Sequence, residues 1–152
     1  MRALALAALL TPVGCGQRSV PLDPVYRPLE RVVEASWVQE GMVTTIAPNV
    51  FVRSVSDFFS WDQPMLHVIL MHERVHAIRE IEAGSHYYVD YASFPSFRWE
   101  EEKLAYAEQF RLMKRAQLPI DAHYYAEMMS TKYARMVTYD VALAWILKET
   151  GQ

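Results

Sequence analysis

A chain of 152 residues is long enough for one domain with a sizeable core, and 52% hydrophobic against 22% charged residues is ordinary for a globular protein. The net charge of −3, with Lys and Arg scattered along the chain, gives no electrostatic basis for a nucleic-acid partner, and none is expected. A single cysteine excludes an intrachain disulfide.

The chain opens on Met1-Arg2, an apolar run from Ala3 to Leu10 and the small-residue stretch Val13-Gly14-Cys15-Gly16. A basic start, a short apolar run and small residues before a cleavage point describe a secretory signal. Ending at a lone Cys after Gly, residues 1–15 resemble a bacterial lipoprotein signal, with Pro12 where that family usually carries Leu. The resemblance implies export to the periplasm or cell surface and a membrane tether through a lipidated Cys15. The apolar run falls short of the ~20 residues of a stable membrane span. A cytoplasmic protein with an incidental Cys15 is the competing reading.

Residues 16–28 are polar, carry Pro21, Pro24 and Pro28, and read as a tether. The domain is then expected over 29–152. Apolar residues at 29, 32, 33 and 37, with Gly41 as a stop, predict a first helix over 29–40. Met42 to Val55 is rich in Val, Thr, Ile and Phe and broken at Pro48-Asn49, which predicts one or two short strands and a turn. Residues 57–63 read as a loop.

Pro64 opens a helix predicted over 64–82 and stopped by Gly84. Ser85 to Phe97 reads as an irregular aromatic loop. Further helices are predicted over 99–117, over 121–134 behind the cap Asp121, and from Thr138 or Tyr139 to Glu149. The expected class is α+β, mostly helical, with a small sheet beside the 64–82 helix.

That helix contains His72-Glu73-Arg74-Val75-His76, an HExxH. Residues i and i+4 share a helix face, with Cβ atoms about 5–6 Å apart, so the two imidazoles can bind one Zn²⁺. Glu73 then sits beside the metal as the general base for its water. Arg74 lies on another face, at the surface or beside a carboxylate of a later helix. His67, five residues before His72, is rotated roughly 140° away and is expected to pack elsewhere.

Two His leave a tetrahedral Zn²⁺ short of one protein ligand. A following helix that returns antiparallel can supply a carboxylate from Glu100-Glu101-Glu102. Part of this acidic run also suits a helix first turn, where it complements the dipole. Glu101 and Glu102 are rival ligands about 100° apart on the helix. Ala105, one turn after Glu102, would let the two helices approach closely.

Glu102-Lys103-Leu104-Ala105, with 25 residues between His76 and Glu102, resembles the ExxA pattern of the gluzincin metallopeptidases. The element order is similar to that of the small single-domain members, over roughly residues 45–117. The resemblance implies a minimal zincin-like fold and one Zn²⁺ held by His72, His76 and Glu102. It also implies hydrolysis of a peptide or protein substrate with Glu73 as base. Gluzincins often add a Tyr or His that donates to the oxyanion; His86, Tyr87, Tyr88, Tyr91, Tyr106 and His123 are candidates. Each ligating His should also meet an acceptor, for which Asp57, Asp62 and Asp90 are available. The alternative function is a zinc-stabilised, non-catalytic binding or envelope protein that retains the metal helix.

Overall fold

A computed structural model describes residues 17–132 and 136–152. The signal-like segment, Cys15 and the end of the helix expected over 121–134 lie outside the described residues. Four short strands form one mixed sheet: β1 (Ser19–Pro21), β2 (Arg31–Glu34), β3 (Val43–Ile46) and β4 (Asn49–Val52). The spatial order is β1-β2-β4-β3, with β2 and β4 parallel and the outer pairs antiparallel. Six α-helices follow: α1 (Val55–Phe59), α2 (Gln63–Ala83), α3 (Tyr87–Ser93), α4 (Pro95–Arg115), α5 (Ala122–Glu127) and α6 (Tyr139–Thr150). The fold is α+β and mostly helical, as expected.

Two elements differ from the sequence reading at the front of the chain. The helix expected over 29–40 is instead strand β2 followed by turns. Val32 and Val33 are both buried because β2 lies inside the sheet, and β-branched residues favour that pleated, packed position. A short apolar run buried on both faces mimics helical spacing. The stretch expected as a tether contributes β1, in register with β2 from Ser19–Val33 to Pro21–Arg31, and a 3₁₀ turn at Pro24–Tyr26 capped by Asp23. The one or two strands and turn predicted over 42–55 are two strands, the β3–β4 hairpin, turning at Ala47-Pro48.

The aromatic stretch expected as an irregular loop is helical. A 3₁₀ turn at Gly84–His86 leads into α3, and Pro95 begins α4 rather than interrupting the chain. Proline is tolerated in a helix's first turn because its missing N–H would have no partner there. Gly84 ends α2 with φ +71°, the left-handed region that glycine enters without steric cost. Asp121 accepts from the Tyr124 N–H and caps α5 as expected, but the helix shifts to a π turn at Met128–Lys132.

Helix α2 stands between two cores. Leu66, Leu70 and Ala77 pack with Val32, Val50 and Phe58 on the sheet side. Val68 packs with Tyr106, Phe110, Met129 and Ile146 on the helical side. A helix buried on two sides positions its remaining side chains firmly, which is what a metal site demands. Among the described residues no helix is long and apolar enough to cross a membrane.

Candidate metal centre

Helices α2 and α4 pack directly against each other. Arg79 meets Glu101 while His72 meets Tyr106, so the chain numbers run in opposite directions and the helices are antiparallel. Ala105 is fully buried, consistent with the close approach expected of a small residue there. The packing brings His72, His76 and Glu102 together, all three buried, with one ligand atom from each within 4.8 Å of the others.

The distances fit a tetrahedral cation. His72 Nε2 lies 3.1 Å from His76 Nε2. Glu102 Oε1 is 3.3 Å from His76 Nε2, and Oε2 is 3.6 Å from His72 Nε2. Nitrogen or oxygen ligands held 2.0–2.1 Å from a tetrahedral Zn²⁺ are separated by roughly 3.3–3.4 Å. Glu102 Oε2 is buried without a hydrogen-bond partner among the described residues. A buried carboxylate whose two oxygens each face an imidazole nitrogen is a donor set that can hold a cation such as Zn²⁺.

Electrostatics bind the triad even as protein groups alone. Burial opposes charge on His76, but the Glu102 carboxylate outweighs it and lifts the imidazole to about 9. Burial would likewise raise Glu102; the adjacent His76 and His72 reverse this and hold its carboxyl well below the usual range. Tyr91 donates to Glu102 Oε1, and burial together with that carboxylate pushes the phenol well above its ordinary value.

Glu101, the rival ligand, turns away. Its two oxygens accept from Arg79 Nε at 3.1 Å and Nη2 at 2.9 Å, a fork that commits the carboxylate to α2's outer side. Glu73 is buried beside the cluster, and its Oε2 accepts from the Thr45 hydroxyl at 2.7 Å. Seven residues on, Glu80 accepts from the Ala47 N–H at 2.8 Å. These two bonds fasten the hairpin to α2 and hold Glu73 in the lining of a cleft.

The remaining candidates separate clearly. The Tyr87 hydroxyl lies 3.3 Å from His76 Nδ1 and occupies the supporting position for which Asp57, Asp62 and Asp90 were considered; no hydrogen bond joins those three to either imidazole among the described residues. His72 Nδ1 is buried without a partner among the described residues. Tyr88 and Tyr91 line the cleft with Tyr87, and the Tyr106 ring meets His72 edge-on at 4.6 Å. His86 sits in the exposed turn before α3. His123 pairs with Tyr139 at 2.6 Å and His67 with Tyr26 at 3.1 Å, neither lining the cleft. Arg74 donates to the Arg27 carbonyl at 2.6 Å, tying the N-terminal segment to α2.

Thr45, Arg79 and the supporting role of Tyr87 were missed from the sequence. Thr45 and Arg79 act through partners 28 and 22 residues away, which spacing cannot reveal. No protein-family model, curated protein or solved structure matches the chain.

Proposed function

We propose that the protein is a zinc-dependent metallopeptidase of gluzincin type, with His72, His76 and Glu102 as metal ligands and Glu73 as general base. The observation that carries the reading is the convergence of these three buried groups at tetrahedral spacing, with Glu73 beside them in an open cleft. Zn²⁺ bound there supplies a Lewis acid and a water whose pKa falls to about 7.

The chain's own residues do the rest. Glu73 accepts the proton of the attacking water and passes it to the leaving amine. Thr45 holds the Glu73 carboxylate in one orientation. Tyr87 sets the ring of His76, and Tyr91 sets the carboxylate of Glu102. The stacked rings of Tyr87 and Tyr91, 5.8 Å apart, form one wall of the cleft beside the centre. Hydrolysis of a mixed peptide library should vanish on chelation and return with stoichiometric Zn²⁺. Cleavage that persists at full rate after zinc is stripped contradicts the proposal.

A further inference from the structure

Two cavities of about 260 and 250 Å³ open beside the candidate metal centre. They share Val43, His72 and Glu73 and then diverge. The first continues past His76 on α2 and Ile46 on β3, towards the α3 tyrosines. The second runs back along α2 past Ile69 and Met65, and along the chain to Gly41. The cavities therefore adjoin at the HExxH, the first lying between α2, β3 and α3 and the second between α2, Tyr106 and Gln109 of α4, and Tyr124 and Tyr125 of α5.

Outside the centre their walls are uncharged, large apolar side chains standing beside Tyr, Thr and Gln. Trp37, Met42 and Ile46 face the first cavity, and Trp61, Met65 and Met128 the second. Among the described residues, the only carboxylates and imidazoles lining either cavity are His72, Glu73, His76 and Glu102, and no Lys or Arg lines them. All four belong to the centre itself. No spare carboxylate is present to hold a chain-terminal ammonium, and no cation to hold a terminal carboxylate. A charged side chain entering either cavity would lose its water without gaining an oppositely charged partner outside the centre, whereas a bulky apolar one gains burial.

We infer that the centre cuts internal peptide bonds whose two flanking residues are bulky and uncharged; the inference rests on the peptidase reading above. The test uses the zinc-loaded full chain and three substrates. One is a peptide blocked at both ends with a central Phe-Leu, the second the same peptide with central Asp-Lys, and the third an unblocked Phe-Leu dipeptide. Glu73→Gln serves as control for each. The blocked Phe-Leu peptide should be cleaved with kcat/KM at least about tenfold above the other two. Glu73-dependent cleavage of the Asp-Lys peptide or the dipeptide at an equal or higher rate overturns the inference and leaves the peptidase reading intact. Absence of Glu73-dependent cleavage of all three overturns both. Met42→Asp, in the first cavity's wall, should raise cleavage of a Phe-Lys or Lys-Leu peptide relative to Phe-Leu at least about threefold. Unchanged ratios for both peptides count against the cavity as a side-chain site.

Discussion

The electrostatic coupling of His76 to Glu102 predicts a particular pH dependence of stability in chelator-treated protein. His76 rises from 6.5 to about 9 on folding, because the Glu102 carboxylate outweighs the burial that opposes its charge. A group whose pKa is raised on folding stabilises fully below its unfolded value, and that stabilisation is lost as pH climbs through the folded value. The loss should thus begin near pH 6.5 and be complete a little above 9. At about 1.4 kcal/mol per pH unit, the rise corresponds to roughly 3 kcal/mol. On the acid side the sign reverses: Glu102 is held low, so its contribution is present above pH 4.5 and falls away below it. Urea melts from pH 4 to 10, on wild type and Glu102→Gln, measure this directly. The wild type should be most stable between about 4.5 and 6.5 from this pair, and the decline towards pH 9 should be largely absent in the variant. A flat wild-type profile from 6.5 to 9, or the same decline in Glu102→Gln, refutes the reasoning.

Four further variants have expected outcomes. Glu102→Ala should abolish stoichiometric zinc binding by dialysis and metal analysis, whereas Glu101→Ala should retain it. Glu101→Ala should instead cost about 1–3 kcal/mol in a denaturant melt, less than a fully buried pair because Arg79 is 38% exposed and can regain water. Tyr87→Phe removes the partner of His76 Nδ1 and should weaken zinc affinity about 10–100-fold in chelator competition, with the fold unchanged by circular dichroism. Ala105→Leu forces volume into a fully buried site where α2 meets α4 and should cost about 1–3 kcal/mol, lowering Tm by roughly 2–10 °C.

The candidate metal centre was legible in the sequence because its three residues obey local rules. His72 and His76 are one turn apart on a helix with clear start and stop signals, and Glu102 carries its own small-residue spacing to Ala105. The sequence favoured Glu102 over Glu101 only through the spacing to Ala105; in the fold Glu102 faces His72 and His76 while Glu101 is taken up by Arg79. Strand β2 was illegible because Val32 and Val33 are covered on both faces, so the alternation that marks a half-exposed strand is missing. Helix α3 did leave a sign: Tyr87 and Tyr91 stand at i and i+4 and stack on one face. Proline at 95 obscured it by suggesting a break where a helix begins. Thr45 is one of two adjacent threonines on an edge strand, and nothing local marks it as the partner of Glu73.

The proposed activity depends on Glu73 acting as a base beside a metal it does not hold. Zinc content and hydrolysis of a mixed peptide library, measured on the same preparations of wild type and Glu73→Gln, test that division of labour most directly. The expected result is about one zinc per chain in both proteins, with hydrolysis in the variant reduced at least about 100-fold. Equal hydrolysis by the two proteins, or wild type that binds no zinc when zinc is supplied, contradicts it.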